Sequence, residues 1–156
     1  MSQRGSYYEI EQLAERPGRL GALVSFVKRG GTLILLDGWS AAKGRNSLVQ
    51  LLAAVLGSDP RCTPVPVTNE QSQNLRISTS FFESLEPKIK PLPGMGLSNM
   101  QCQNGTAIYS AFVKKVETSA AMLWPLGKGG VYWIGSSFTR PNIRGYQQVC
   151  ERMYCL

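Results

Sequence analysis

Residues Thr32 to Leu36 read Thr-Leu-Ile-Leu-Leu, a β-prone run in which no polar residue alternates with the apolar ones. A strand with one wet face alternates, whereas an unbroken apolar run suits a strand buried on both faces, as in a parallel sheet. The flanks agree with this. Pro17 is tolerated in a first helical turn, and Leu20, Leu23, Val24 and Val27 follow at helical spacing. Lys28 and Arg29 suit the negative end of that helix, and Gly30-Gly31 stops it. After the strand, Asn46 or Ser47 caps a second helix whose core face is Leu48, Leu51, Leu52, Val55 and Leu56. Gly57 and Asp59-Pro60 end it.

Helix, strand, loop and helix form the repeating element of a doubly wound domain. The expected fold is therefore a three-layer, flavodoxin-like α/β domain, with a mostly parallel sheet and helices on both faces. It is expected to fill residues 1–156 as a single domain. Residues 1–16 form a polar N-terminal extension with Tyr7, Tyr8 and Ile10 as anchors.

The rest of the chain is less regular. Pro64 and Pro66 make Thr63 to Thr68 an edge strand or extended segment. Leu75 to Thr79 reads as a short strand and Pro87 to Gly96 as a loop. Thr106 to Val113 and Ala120 to Trp124 read as strands. Gly127-Lys128-Gly129-Gly130 then turns into Val131 to Ile134, so a hairpin is expected there. Pro141 to Arg152 closes the chain as a helix.

Composition limits the chemistry. The chain contains no histidine, so Ser-His-Asp and Cys-His mechanisms and histidine-ligated metals are excluded. No two carboxylates form a recognisable pair, and no cofactor or metal site is expected. The cysteines Cys62, Cys102, Cys150 and Cys155 lack metal-ligand spacing. They are read as free thiols of a cytoplasmic chain, with one or two disulfides as the alternative in an oxidising compartment. The first ten residues carry no apolar core of a secretory signal, and no apolar run is long enough to span a bilayer. Asn104-Gly105-Thr106 matches the N-glycosylation sequon, and without a signal it is read as coincidence. The net charge of +7 favours acidic partners, yet Lys28-Arg29, Lys114-Lys115 and the Lys88/Lys90 pair are scattered.

Leu23 to Asp37, with its Gly-Gly pair and buried strand, resembles a segment of class I glutamine-amidotransferase-like domains, a superfamily that includes trehalose-utilisation-like and β-galactosidase-trimerisation-like domains. Gly127 to Gly135 is similar to that superfamily's late Gly-Lys-Gly turn and strand. The resemblance implies the fold and argues against activity. Catalytic members carry an elbow cysteine after the strand, and here that loop reads Asp-Gly-Trp-Ser-Ala-Ala-Lys over residues 37–43. Members also open with a strand that this chain lacks or has in reduced form. An exposed sheet edge is therefore expected, covered by a homodimer contact or a protein partner.

The best ligand candidates lie on that loop: Asp37, Trp39, Ser40, Lys43, Arg45 and Asn46. Open α/β sheets place ligands beyond the carboxyl ends of strands, and the following helix start offers backbone N–H groups to an anion. The loop is not a P-loop, because the spacing is wrong. Ser40 with Lys43 lacks the companions of a serine-lysine nucleophile. Lys128 in its glycine turn is a further phosphate candidate. Trp124, Tyr132 and Trp133 are either core residues or a stacking platform. The favoured function is a non-catalytic binding or protein-interaction domain, oligomeric in solution. The alternatives are a basic nucleic-acid-binding accessory protein and, more weakly, a hydrolase or transferase using carboxylate or lysine chemistry.

Overall fold

The computed structural model describes residues 17–36, 47–67, 72–77, 82, 84–89 and 97–135. Helix α1 (Pro17–Lys28) leads through Gly30-Gly31 into strand β1 (Thr32–Leu36), and helix α2 (Ser47–Leu56) follows. Seven more strands come after: β2 (Thr63–Val67), β3 (Gln73–Leu75), β4 (Lys88–Ile89), β5 (Leu97–Gln101), β6 (Thr106–Val113), β7 (Val116–Leu126) and β8 (Gly129–Ile134). The opening block matches the sequence reading. Gly57 follows α2 and donates its amide to the Ala53 carbonyl, closing the last turn.

The expected three-layer, flavodoxin-like fold is not what forms. The described strands make one mixed sheet in the order β1-β8-β7-β6-β3-β4, with β5 also on β7 and β2 on β5. Only β1 and β8 pair in parallel, and every other pair is antiparallel. The two helices share one face of the sheet. Val27 of α1 and Leu51, Leu52 and Val55 of α2 pack in a single core with Leu35, Met100, Met122, Trp124, Val131 and Trp133. The opposite face holds Ile108, Tyr109, Ala121, Tyr132 and Ile134, covered among the described residues by Phe82, Leu85 and Ile89.

The antiparallel half was hidden by its turn chemistry. Val113 pairs with Val116, so Lys114-Lys115 is a two-residue hairpin turn. Both lysines sit in the left-handed region, at φ 49° and 69°. Such turns normally advertise themselves with Asn-Gly or Asp-Gly. Here the same two residues read as a basic doublet.

Several boundaries move with it. The strand expected at Ala120 to Trp124 begins at Val116, and Leu97–Gln101 is a strand that was not anticipated. The short strand at Leu75 to Thr79 is instead Gln73–Leu75, and the Pro87 to Gly96 loop contains β4. Thr106 to Val113, the edge character of β2 and the β7–β8 hairpin stand as expected. Residues 1–16 and the helix expected at Pro141 to Arg152 lie outside the described residues.

The sheet is also curled. In a flat sheet β5 and β3, with β7 and β6 between them, would stand about 14 Å apart. Yet Asn99 of β5 donates from Nδ2 to Oε1 of Gln73 on β3 across 3.3 Å. The reading of free thiols also changes, because Cys62 and Cys102 are disulfide-bonded. They extend the β2–β5 ladder by one step beyond the Thr63–Gln101 pair.

Candidate functional site

The sheet has three open ends among its described strands: β1, β2 and β4. They differ in what they offer to another chain. β4 has only two residues. β2 carries Pro64 and Pro66, two positions apart and both within the ladder to β5. Proline has no N–H, so alternate positions of that strand lack a donor and the edge is a poor template. β1 has neither defence. It is five residues of Thr and aliphatic side chains, and its outer flank has no strand partner among the described residues.

The register shows which groups face outward. The Gly130 amide donates to the Gly31 carbonyl, and Thr32 pairs with Gly130. Along a parallel ladder the amides of Leu33 and Leu35 then face β8, and those of Thr32 and Ile34 face away. Leu33 and Ile34 are only partly buried. The open flank thus combines outward-facing backbone donors that no described strand takes up with partly buried aliphatic side chains.

The start of β8 is built by close backbone approach. The Lys128 amide donates to the Lys28 carbonyl at 3.0 Å, so the glycine turn caps the end of α1. Its backbone has a structural task, which accounts for the turn without a phosphate. The aromatic candidates are core residues: Trp133 is 0% exposed, Trp124 4% and Tyr132 6%. None of them offers a face for stacking. Lys28, Arg29 and Lys128 gather at one end of β7, and Lys114-Lys115 stands at the other. Eleven residues of strand rise about 33 Å, so the doublets do not form one stripe.

Inside the curl lies a polar cluster that the sequence did not reveal. Gln73 and Asn99 are both 0% exposed, and Thr118 is 1%. Asn99 Nδ2 donates to Thr118 Oγ1 at 2.9 Å, and Thr118 Oγ1 donates to the Ala111 carbonyl at 3.2 Å. Gln73 Nε2 and Asn99 Oδ1 have no hydrogen-bond partner among the described residues. A buried polar atom without a partner costs about 1–3 kcal/mol. The signal was the polar make-up of Leu-Ser-Asn-Met-Gln, which concealed the strand and its buried amide together.

Titratable groups near the curl are engaged structurally. Tyr109 donates its hydroxyl to the Glu86 carbonyl at 2.6 Å. Burial first, and the Glu86 charge second, push its pKa well above the usual phenol range. Burial raises that of Tyr132 as well. Glu117 Oε1 accepts from Ser110 Oγ at 2.6 Å and from Arg76 Nε at 2.7 Å, and these bonds lower its pKa. Its contribution is therefore complete at neutral pH. It is lost as pH falls below the ordinary carboxylate range and through the depressed folded value. The pair is largely exposed, so solvent screening holds its coupling to about 0.5–1 kcal/mol. Urea unfolding of the wild type, Arg76→Ala, Glu117→Gln and the double variant should show that coupling at neutral pH and none in acid.

Among the described residues no three His, Cys, Asp or Glu side chains converge on a metal position. No helix among them is long and apolar enough to cross a membrane. The loop candidates Asp37, Trp39, Ser40, Lys43, Arg45 and Asn46 lie outside the described residues. The strand that leads into them ends the described sheet instead of lying at its centre.

Comparison with solved structures fits this architecture. A cold-adapted β-galactosidase from Rahnella sp. R3 superposes on 89% of this chain and 21% of its own, with a TM-score of 0.51 at 14% identity. A β-galactosidase from Bacillus circulans sp. alkalophilus does so over 88% and 21%, with a TM-score of 0.52 at 15% identity. The chain shares its fold with one stretch of these enzymes. It spans about a fifth of their length. A cytoplasmic protein from Salmonella typhimurium LT2 matches over 88% of this chain and 57% of its own, with a TM-score of 0.55 at 16% identity. No protein-family model matches the sequence, and no curated protein does.

Proposed function

We propose that this chain is a non-catalytic interaction domain that associates through the open flank of β1. The observation that carries the reading is the contrast between edges: β2 is blunted by proline and β4 is minimal, while β1 is five apolar or Thr residues with no proline and no outer strand partner among the described residues. Edges of that kind are templates for another chain, and natural proteins cover them. The favoured partner is a second copy, since two β1 strands meeting about a two-fold axis bury the same surface on both sides. The β-galactosidase neighbours support the reading. The same fold occupies a small share of a larger chain there, as expected of an accessory module of the trimerisation-like kind. The absence of histidine supports a role without turnover. Asp37, Trp39, Ser40, Lys43, Arg45 and Asn46 lie in sequence between β1 and α2, and the reading extends the partner or ligand contact to them.

Thr32→Pro tests this. Proline at the first strand position removes one outward N–H and leaves the bonds to β8 in place. Sedimentation velocity across a wide concentration range should show reversible dimers of the wild type, weakened at least tenfold by Thr32→Pro with the fold intact. A wild type that stays monomeric throughout would overturn self-association. Dimers indifferent to Thr32→Pro would place the contact elsewhere.

A further inference from the structure

We propose that Asn104 is an N-glycan acceptor and that the chain folds in an oxidising compartment. Two separate features, both at the end of the sheet where β5 turns into β6, support this. The first is the sequon itself. Asn104, Gly105 and Thr106 are all exposed, and residues 103–105 form the bend that connects the two strands. Transfer needs an Asn-X-Ser/Thr tripeptide with X other than proline, displayed on a surface loop.

The bend is held in one shape. Gly105 sits at φ 112°, and a Cβ there would come within 2.5 Å of Trp124 Nε1. Trp124 Nε1 donates to the Asn104 backbone carbonyl at 2.8 Å. The backbone of Asn104 is thereby anchored to a buried indole, while the residue itself is exposed. Beside it lies a cavity of about 290 Å³ lined by Ser58, Asn104, Thr106, Trp124, Pro125 and Leu126.

The second feature is the disulfide two residues before the sequon. Cys62 and Cys102 are joined at a sequence separation of 40. Both are partly buried against the core beneath α2. Around the bridge, the Gln103 amide donates to the Pro60 carbonyl at 3.1 Å, and Arg61 Nη1 donates to Gln103 Oε1 at 3.1 Å. Disulfides of this kind persist where the surroundings oxidise thiols, and outside hyperthermophiles they are rare in the cytosol. The same compartment is where sequons are modified. The proposal departs here from the expectation of a cytoplasmic chain and of an incidental sequon.

The chemistry is a transfer from a lipid diphosphate-linked oligosaccharide by a membrane-bound transferase. A bond forms between Asn104 Nδ2 and C1 of the first sugar, and the bond from C1 to the diphosphate oxygen breaks. The carboxamide loses one proton, and the lipid diphosphate departs with the electron pair.

The test uses the full chain recovered from its source without reductant and trapped with an alkylating agent. Peptide mass spectrometry should find Asn104 carrying a glycan and Cys62 linked to Cys102. Amidase release in H2¹⁸O should convert Asn104 to ¹⁸O-labelled Asp, which separates deglycosylation from spontaneous deamidation at Asn-Gly. Thr106→Ala and Asn104→Gln should abolish the glycan with the disulfide retained, and Thr106→Ser should keep it. An unmodified Asn104, or alkylated Cys62 and Cys102, would overturn the proposal.

Discussion

Replacing Gly129 with alanine should destabilise the chain by about 3 kcal/mol or more. Gly129 lies where the start of β8 crosses the end of α1. A Cβ there would sit 2.1 Å from the Gly31 carbonyl oxygen and 2.3 Å from that of Val27. Both obstacles are backbone, so no side chain can swing aside. Relief requires the helix end and the β7–β8 turn to separate, which breaks the Lys128-to-Lys28 bond and strains the Gly130-to-Gly31 bond. Urea unfolding reads this as a lower midpoint at unchanged slope. Gly21 is the control. It lies in α1 with nothing within 4 Å of a built Cβ, so Gly21→Ala should stabilise by about 0.8–1 kcal/mol. If both variants shifted stability alike, the close approach would not govern the site.

Gly129 also shows what could be read in the sequence. The glycine turn was visible, as were the hairpin after it, the helix stop at Gly30-Gly31 and β1, because each is announced by local chemistry. The global arrangement was not. An apolar run such as Thr32–Leu36 signals burial on both faces, and in a doubly wound domain helices supply both covers. Here the second cover among the described residues is Phe82, Leu85 and Ile89, in a stretch whose prolines and polar residues read as loop. The β6–β7 hairpin went unseen because Lys114-Lys115 makes the tight turn usually made by Asn-Gly. The strand containing Asn99 was missed because its buried residues pair an apolar Met100 with a polar Asn99, so no apolar run or alternation marks it. An open edge was foreseen from a missing first strand. The blunting of β2 by Pro64 and Pro66 was half legible, since proline marked an edge without showing that β1 lacks the same protection.

Truncating Trp133 to alanine should cost about 3–5 kcal/mol, the range for emptying a large aromatic site in a core. Trp133 is wholly buried on the helix face of β8, level with Leu35 of β1 and Met122 of β7. The core around it includes Val27 of α1 and Leu51, Leu52 and Val55 of α2. Its ring therefore belongs to the same packing that holds the edge strand and both helices on the sheet. A stacking platform for bases or sugars would behave in the opposite way, losing ligand affinity at little cost in stability. The location of the damage is informative too. β1 is held by β8 alone among the described strands, so amide exchange at Leu33 and Leu35 should accelerate more than in β6, which β7 and β3 flank. Uniform acceleration would make Trp133 a general core residue. A β1-weighted pattern would mean that packing beneath the edge sets how firmly the chain holds β1, the strand proposed as its contact.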